Sequence, residues 1–565
     1  MRDDRLNDDS RAHGLAALRG TTAERPLDVL IIGGGVVGAG AALDAAARGL
    51  TVGLVERSDL AAGTSSRSSR LAHGGLRYLE QMEFSLVHEA LTERGLLLDR
   101  LAPHLVHPVP FLLPVTRRGW ERPYMGAGVA LYDLLSRVGA YGGTMPRPRS
   151  LSREKVFGLS PGLKPDAYVS AVRFHDAQID DARHTVATAR TAAAHGAHIV
   201  TDAEVVGFLE SDGRVRGATV RDLSAGTAFD VHARVVVSAA GVWSDDVVAL
   251  LGDDSGYGAR VRQSKGVHLI VPRSVFPSAT ALIARTAASV LFLLPWGNSW
   301  LIGTTDTDYG GDYAEPGATD ADVAYLIDQA NKWLATPMTA RDVTGVYAGL
   351  RPLLELDEGA SSATSAISRE HAVLSPRPGL VLIAGGKYTT YRVMAADVID
   401  AAVADRAALV GGEVPASTTA EIPLVGAAGF ARRWAERDSL ARELDVAPPV
   451  MTGLLHRHGD RIDDVLELLY ERPALARTLN GEVSYLQAEA VLAVRNEGAR
   501  SLSDILVRRT RTAMESRDGG RSAAEGLQEV LAGEFGWGPD KYAADLDELM
   551  TRERVVMPPM LTGSA

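Results

Sequence analysis

Three glycines near the start of the chain are spaced for binding the pyrophosphate of a dinucleotide. Gly33, Gly35 and Gly38 occupy the fixed positions of a G-x-G-x-x-G pattern within GGGVVGAG. In this pattern the first glycine makes a tight turn, the second lets a pyrophosphate approach the backbone, and the third lets a helix pack closely on a strand. Glu56 stands far enough past the loop to accept hydrogen bonds from ribose hydroxyls. The expected chemistry is therefore that of a dinucleotide cofactor.

The elements that must position this loop are recognisable on both sides of it. Residues 27–32, LDVLII, form an apolar run typical of a buried parallel strand. The alanine-rich residues 39–49 predict a helix whose first amides face the pyrophosphate, and residues 51–55 predict a second strand. A lone glycine pattern also occurs in unrelated turns. A strand, loop, helix, strand and acid within about 30 residues, however, indicate a dinucleotide-binding unit.

A segment rich in hydroxyl groups follows Glu56. Residues 59–70 read DLAAGTSSRSSR, and Thr64, Ser65 and Ser66 are suited to lining a phosphate and a flavin ring. The next residues, LAHGGLRYLE, contain Gly74 and Gly75, which would let the backbone lie against a flat cofactor. On composition alone, a serine-rich surface loop is the alternative interpretation.

Length and composition exclude several function classes. With 565 residues the chain is long enough for two or three domains. It contains no cysteine, which excludes disulfides, thiolate metal sites and mechanisms that need a redox-active thiol pair, and no metal site is predicted. The net charge of -12 argues against a nucleic-acid partner. An anionic substrate would therefore need cations that are gathered locally.

Two segments bear on location. Residues 1–26 are polar, carry no signal-peptide core and are interpreted as a disordered tail. The most apolar stretch, residues 29–43, is shorter than the roughly 20 residues of a membrane-spanning helix. Residues 122–138 place Met125, Val129, Tyr132 and Leu135 at helical spacing, so this helix either lies in a membrane interface or faces the core.

Four motifs, in this order, resemble the FAD-dependent, aerobic-type glycerol-3-phosphate dehydrogenases. They are DVLIIGGGVVGAG, TSSRSSRLAHGGLRYLE, IGTTDTDY and AGGKYTTYR, and the resemblance runs from about residue 28 to about residue 514. It implies an α/β fold related to D-amino-acid oxidase, in which a Rossmann-like FAD-binding domain is interleaved with a mixed-sheet substrate domain. FAD is the implied cofactor.

The domain boundaries follow from the resemblance and from local patterns. The FAD-binding domain is expected within residues 27–400, at about 27–100, 175–255 and 345–400, and the substrate domain at about 101–174 and 256–344. Strand-like runs at 267–271, 290–294 and 299–303 support a mixed or antiparallel substrate sheet. From residue 401 to 565, Ala, Leu, Arg and Glu at helical spacing predict an all-helical C-terminal domain.

Two further turns are expected to contact the cofactor. A β-branched strand at 233–240 ends at Gly241, which resembles the family's turn beside the flavin pyrophosphate. A strand at 379–384 opens onto a turn whose glycines expose backbone amides before a helix begins near residue 393. The resemblance places that turn at the flavin ring, with contacts from Gly385, Gly386, Lys387 and Thr389.

The resemblance also selects residues for the substrate. It implies binding by the cationic and aromatic side chains Arg77, Tyr78, Arg351, Arg369 and Lys387, each of which would otherwise be interpreted as an ordinary surface residue. The resemblance also places His268 among the substrate-binding residues, on the strand face that alternation assigns to Gly266 and Ile270. His268 is the candidate base because an imidazole accepts a proton at neutral pH. Arg351 or Lys387 could instead polarise the alcohol, so His268, Arg351 and Lys387 are the candidate catalytic residues.

The implied reaction is oxidation of sn-glycerol 3-phosphate to dihydroxyacetone phosphate, by hydride transfer from C2 to flavin N5. The sequence has no second complete G-x-G-x-x-G, so no NAD domain is expected, and the family implies a membrane quinone as acceptor. The expected location is the cytoplasm, peripheral on the inner face of the cell membrane, with a homodimer one option for assembly. The alternatives are an oxidase that uses O2 and a non-catalytic flavin-binding regulatory protein.

Overall fold

The computed structural model describes residues 3–80, 82–117, 119–137, 145–252, 260–286, 290–355, 370–404, 413–479 and 485–562. Within these residues the chain forms two β-sheets with helices between and around them, and then a series of helices. The strands of the two sheets alternate along the chain. The interleaved α/β fold class with a helical C-terminal domain is therefore confirmed.

The first sheet is built on parallel strands whose carboxyl ends meet at one edge. Its central strands are short and apolar, and Ile32 lies opposite Val55 on one side and Ser238 on the other. The order across the sheet is His371–Arg377, Leu380–Gly385, Thr227–Ser238, Leu27–Ile32, Val52–Val55 and His198–Val200, with Ala203–Ser211 and Arg214–Asp222 extending Thr227–Ser238 as antiparallel strands. Strand His371–Arg377 is antiparallel to its neighbour, and the other neighbours on this path are parallel.

Helices cover the apolar face of this sheet. Val36–Ala47, Asp181–Ala194 and Tyr391–Ala404 pack together, and their alanines and valines share a core with Val29, Ile31, Val235 and Val237. Small side chains let helix and sheet approach closely, which keeps the start of Val36–Ala47 against the end of Leu27–Ile32.

The second sheet is mixed and mostly antiparallel. Its order is Thr307–Asp308, Arg260–Pro272, Ser299–Gly303, Val290–Trp296, Ala281–Arg285, Val106–Val115, Ser170–Ile179 and Leu71–Ala72, with Gly345–Glu355 also paired to Arg260–Pro272 and Arg149–Ser152 paired to Ser170–Ile179. Strand Gly345–Glu355 was expected to open the last segment of the FAD-binding domain. Backbone pairing along its whole length places it in the second sheet instead.

The remaining helices lie around the sheets and after residue 417. Those around the sheets are Asp8–Arg19, Phe84–Leu96, Glu121–Arg137, Arg153–Leu159, Ser244–Ala249 and Asp320–Asn331. Those of the helical domain are Phe430–Ala435, Arg437–Glu443, Pro448–His458, Ile462–Glu471, Gln487–Asn496, Thr512–Glu515, Arg521–Phe535, Pro539–Val556 and Pro559–Thr562. Leu454, Val465 and Val491 are fully buried in the core of this domain.

The prediction of a disordered N-terminal tail is wrong for residues 3–26. Asp8–Arg19 is a helix whose start is closed by a reciprocal hydrogen-bond pair between Asn7 and Ser10. Leu18 is fully buried against the first sheet, and Arg11 pairs with Asp222. Polar composition misled because a few apolar side chains are enough to anchor a short helix once the rest of the domain provides the surface.

Helix Glu121–Arg137 has two distinct faces. Met125, Val129 and Tyr132 are buried, and Leu135 packs partly against the same core, so these residues do not lie in a membrane interface. The exposed large apolar side chains of this region belong to other positions: Trp120, Tyr124, Leu131 and Leu134. In the described part of the chain, no helix is both long and apolar enough to cross a bilayer.

Candidate functional site

A cavity of about 950 Å³ reaches from the carboxyl edge of the first sheet to the face of the second. It is lined by most residues predicted to bind the cofactor: Gly33, Gly35, Glu56, Thr64, Ser65, Gly75, Gly241, Gly385, Gly386, Lys387 and Thr389. Gly38, Ser66 and Gly74 lie behind this wall. His268, Arg351 and Tyr78 also face the cavity, so the structure brings the two predicted groups of residues into one space.

The glycine loop joins strand Leu27–Ile32 to helix Val36–Ala47. Gly33 has φ of +107°, a conformation that side chains rarely adopt. A Cβ on Gly38 would lie 1.9 Å from the carbonyl oxygen of Gly33, so only glycine allows the helix to sit this close. Gly35 begins the helix and makes no side-chain cap, which leaves helix-start amides at the cavity wall.

Glu56 ends the neighbouring strand and contacts this loop directly. Its carboxylate accepts hydrogen bonds from the backbone amides of Gly34, at 2.6 Å, and Ser58, at 2.7 Å. Burial raises the pKa of this carboxyl group. The acid is therefore fixed beside the loop and at the cavity, as a partner for ribose hydroxyls requires.

The hydroxyl-rich segment is hydrogen-bonded to a helix start and to the second sheet. The Ser65 hydroxyl accepts from the amide of Val36 at 3.0 Å, at the start of the helix. The Thr64 hydroxyl donates to the carbonyl of Leu350 at 2.7 Å, on the second sheet, and Ser66 is buried. These side chains therefore connect the helix start to the second sheet in addition to lining the cavity.

The segment with Gly74 and Gly75 is hydrogen-bonded to side chains on the side away from the cavity. The amide of Gly74 donates to the hydroxyl of Tyr132 at 2.8 Å, and that hydroxyl donates to Asp176 at 2.7 Å. Gly75 has φ of +73°, and a Cβ there would lie 2.2 Å from the ring of Tyr78. Gly74 thus lies behind the cavity wall, while the absence of a side chain at Gly75 leaves room for the ring of Tyr78 in the wall.

The turn after strand Leu380–Gly385 also contacts this segment. Gly385 and Gly386 have φ of +78° and +85°. Thr389 accepts from the amide of His73 at 3.0 Å and donates to its carbonyl at 3.2 Å. Lys387 lies with Nζ 4.0 Å from the ring centroid of Tyr78, a cation–π contact that keeps its charge at the cavity.

His268 and Arg351 share one face of two adjacent antiparallel strands. His268 lies opposite Tyr347, and Arg351 lies opposite Ser264. Between these two pairs Gly266 faces Gly349, so the sheet has no side chains at that point. A Cβ on Gly266 would lie 2.6 Å from a guanidinium nitrogen of Arg351, which shows that the arginine head occupies the gap.

The guanidinium of Arg351 is oriented by the segment that follows strand Ser299–Gly303. Nη2 donates to the hydroxyl of Thr304 at 3.2 Å and to the carbonyl of Thr305 at 3.3 Å. Nη1 lies 3.3 Å from a carboxylate oxygen of Asp306. Arg351 is therefore held in one orientation beside the cavity.

His268 is buried and neutral. Its Nε2 lies 2.9 Å from the hydroxyl of Ser69, and its ring stacks on Tyr347 with centroids 4.8 Å apart and an interplanar angle of 11°. Burial, together with the positive charges of Arg351 and Arg70, lowers the pKa of His268 to about 3. The ring is therefore uncharged at pH 7 and has a lone pair that can accept a proton.

Two predicted residues are not placed. Arg369 lies outside the described residues. Arg77 belongs to the short helix Leu76–Leu79, and its side chain lies outside the described part of the chain. Sequence reasoning also assigned no role to Ser69, Tyr347 or Thr304, although TSSRSSR and IGTTDTDY, which contain Ser69 and Thr304, were among the motifs of the resemblance. Which hydroxyl in such a motif meets His268 or Arg351 depends on strand register.

These residues fit FAD. The helix start at Gly35 lies at the cavity wall, where backbone amides of a helix N-terminus suit a pyrophosphate. Gly241, with φ of +59°, lines the same wall, and a Cβ there would meet no atom within 4 Å. Its backbone therefore borders open space in the cavity. Glu56 would hold the ribose, and the turn at residues 385–389 would contact the flavin.

Comparison with known proteins gives a consistent family. Residues 28–406 match the model of the FAD dependent oxidoreductases, and residues 417–542 match that of the C-terminal domain of alpha-glycerophosphate oxidase. A glycerol-3-phosphate dehydrogenase of Mycobacterium leprae is 50% identical over 520 residues, 92% of this chain and 86% of that protein. The human mitochondrial glycerol-3-phosphate dehydrogenase is 34% identical over 559 residues, 95% of this chain and 74% of that one.

A solved structure agrees with these relatives. The glycerol-3-phosphate dehydrogenase from Bacillus halodurans, solved in complex with FAD, superposes with a TM-score of 0.76 at 30% sequence identity. The match includes 97% of this chain and 98% of that one. The similarity thus extends over both sheets and the helical domain.

Proposed function

Because the chain belongs to the FAD-dependent glycerol-3-phosphate dehydrogenases, we propose that it oxidises sn-glycerol 3-phosphate to dihydroxyacetone phosphate at the end of the cavity that holds His268, Arg351 and Lys387. The observation that carries this proposal is the convergence of a neutral imidazole and two cations on one cavity with the cofactor turns. FAD, which the glycine loop and residues 385–389 would hold, would supply at N5 the two-electron acceptor for the hydride that leaves C2.

Arg351 and Lys387 bind the phosphate in this proposal. A phosphate dianion leaves water only if several cations and hydrogen-bond donors replace its hydration. Arg351 presents a planar group already oriented by Thr304 and Thr305, and Lys387 presents a charge held on Tyr78. Arg77, Arg369 and Tyr78 are proposed as further substrate-binding residues.

His268 takes the proton of the C2 hydroxyl in this proposal. Its neutral state at pH 7 supplies the lone pair. Burial is the main cause of the lowered pKa of the ring, and a phosphate dianion bound beside Arg351 offsets the smaller contribution of that positive charge. The base therefore becomes stronger when substrate is present. Fixed placement of hydroxyl, imidazole and phosphate supplies much of the rate because the reacting atoms are already oriented.

The test is anaerobic mixing of the FAD-loaded protein with sn-glycerol 3-phosphate. The visible flavin absorbance is expected to bleach, whereas glycerol, which lacks the phosphate, is expected to leave it unchanged at the same concentration. The variant His268→Asn is expected to bleach at least about 100-fold more slowly, a loss in the range of one general base. No bleaching of the wild-type protein would refute the proposal.

The electrons are proposed to pass to a membrane quinone, with the protein bound peripherally on the inner face of the cell membrane. Support comes from the exposed apolar side chains of the region 120–134, where Trp120 is 70% and Leu134 is 58% exposed. Aromatic and leucine side chains of this kind insert into the headgroup region of a bilayer. Catalytic reduction of a water-soluble quinone without rapid hydrogen peroxide production is expected, whereas rapid peroxide production without an added acceptor would favour an oxidase.

Vesicle flotation tests the membrane contact. Wild-type protein is expected to float with phosphatidylglycerol-containing vesicles, and the variant Trp120→Ser/Leu134→Gln is expected to remain at the bottom of the gradient. Phe157→Gln, which removes a half-exposed phenylalanine from helix Arg153–Leu159, serves as the control and is expected to float. Equal flotation of both variants would exclude this face.

A further inference from the structure

A segment of the helical domain reaches the back of the catalytic wall. Arg511 is fully buried, and its Nη1 donates to the carbonyl of Ser66 at 2.9 Å. Its Nη2 pairs with Asp180 at 2.9 Å and with Asp181. These contacts join residues more than 300 positions apart in the sequence. One guanidinium of the helical domain thus holds both a helix start and the hydroxyl-rich loop.

Asp181 connects Arg511 to the loop beside His268. One carboxylate oxygen of Asp181 accepts from the amide of Ser68 at 2.9 Å and from its hydroxyl at 2.7 Å. The next residue, Ser69, places its hydroxyl 2.9 Å from Nε2 of His268. A continuous polar path therefore runs from Arg511 through Asp181 and Ser68 to the imidazole.

Ser69 is the residue at which this path acts on His268. Within the described residues Nδ1 of His268 has no hydrogen-bond partner, so Ser69 supplies the only hydrogen bond that holds the ring. Tyr347, which stacks on the ring, is itself tied to the loop, because its hydroxyl donates to the carbonyl of Ser68 at 2.9 Å. Both contacts that orient the imidazole thus depend on the backbone at Ser68 and Ser69.

The construction of the Arg511 site favours a positioning role over a purely stabilising one. Arg511 adopts φ of +61°, which is uncommon for a residue with a side chain. A buried ion pair is weak evidence for stability, because desolvation offsets the attraction between the charges. A group held in this way specifies one arrangement of its neighbours, and here the neighbours are the loop that contacts His268.

We propose that Arg511 is a positioning residue for the reaction: through Asp181 and Ser68 it holds the loop so that Ser69 orients the ring of His268. The helical domain is then part of the catalytic apparatus. The inference rests on the proposed role of His268 as proton acceptor. Arg511 itself does not line the cavity.

A double-mutant cycle in the FAD-loaded full chain tests the proposal. Ser69→Ala and Arg511→Lys are each expected to slow anaerobic flavin reduction at saturating sn-glycerol 3-phosphate by about 10- to 100-fold, with KM within about threefold, because a small misplacement of a catalytic group is this costly. On the Ser69→Ala background, Arg511→Lys is expected to cost less than about threefold further. A full loss on both backgrounds would overturn the proposal.

The matched control is Arg457→Lys. Arg457 is a mostly buried arginine of the same domain that makes a two-bond pair with Glu489 and lies over the ring of Tyr485. It is expected to lower thermal stability as Arg511→Lys does while leaving the reduction rate within about twofold. If Arg511→Lys does not fold, Ser68→Ala tests the same path, and its loss must likewise disappear on the Ser69→Ala background.

A second readout does not depend on activity. In protein labelled with ring-13C histidine, the resonance of His268, assigned by its absence in His268→Asn, is expected to shift in Ser69→Ala and Arg511→Lys but not in Arg457→Lys. An unshifted resonance in Arg511→Lys would overturn the positioning role. Failure of the wild-type protein to bleach with substrate would refute the proposed function instead, so the two failures are distinguishable.

Discussion

Substitution of Gly266 by alanine tests the assignment of Arg351 to the phosphate without touching the arginine itself. The new Cβ would lie 2.6 Å from Nη2 of Arg351 and 2.6 Å from the hydroxyl of Thr304. Ordinary van der Waals contact begins at 3.4 Å, so the guanidinium, the movable end of a long side chain, must shift by about 0.8 Å. Its bonds of 3.2 and 3.3 Å to Thr304 and Thr305 are then lost or realigned.

The magnitude follows from the bond that such a shift removes. A hydrogen bond to a charged group contributes about 1.5–3 kcal/mol. Since about 1.4 kcal/mol corresponds to tenfold in binding, KM for sn-glycerol 3-phosphate is expected to rise by about 10- to 100-fold. The fold should survive, because the contact is with a side-chain end and Gly266 lies in an ordinary strand.

Steady-state kinetics with a soluble quinone measure the effect. Gly303→Ala is the informative partner variant, because its Cβ would lie 2.4 Å from Cδ2 of His268 and should lower kcat more than it raises KM. Gly207→Ala, whose Cβ would meet nothing within 4 Å, is the neutral control. A KM for Gly266→Ala within about twofold of the wild type would refute the placement of the phosphate at Arg351.

Three further predictions concern other parts of the site and its stability. Arg369→Ala is expected to raise KM for sn-glycerol 3-phosphate sharply, and an unchanged KM would remove Arg369 from the phosphate site. Gly349→Ala would place Cβ 2.2 Å from the backbone carbonyl oxygen of Arg67, so thermal unfolding is expected well below the wild-type midpoint, and an unchanged midpoint would contradict this packing. Burial lowers the pKa of His184 to about 3, so between about pH 3 and its unfolded value near 6.5 the unfolded chain binds more protons and stability falls as pH falls. The free energy of unfolding of His184→Gln, measured in urea at pH 5 to 6.5, should therefore fall less steeply with falling pH than that of the wild type. The two slopes are expected to differ by up to about 1.4 kcal/mol per pH unit, and identical slopes would show that His184 is not buried in its neutral form.

The cofactor site is the part that local sequence determined. Gly33, Gly35, Gly38 and Glu56 lie in one strand–loop–helix–strand unit, and their roles depend on short-range geometry: positive φ, close approach and a helix start. Short-range geometry can be deduced from spacing. For the same reason the N-terminal helix Asp8–Arg19 was missed, because its stability comes from a distant surface and not from its own composition.

The substrate site needed both the family resemblance and the fold. The resemblance selected His268, Arg351 and Lys387, but nothing local to any of them indicates that they face one cavity. Strand register brings His268 and Arg351 to one face, and Gly266 leaves room there for the guanidinium of Arg351. Such an arrangement depends on which residues of two strands lie opposite each other.

What only the tertiary structure decided is how the imidazole is held. Ser69 and His268 are 199 positions apart, and Arg511 lies more than 300 positions from Asp181. Contacts at such separation follow from the packing of whole domains, since each hydrogen bond joins side chains that chain folding alone brings together. The sequence by itself determined that a dinucleotide is bound, because that depends on residue types and short spacing, and its family resemblance implied FAD and the reaction. The tertiary structure decided which serine and which arginine orient the proposed base.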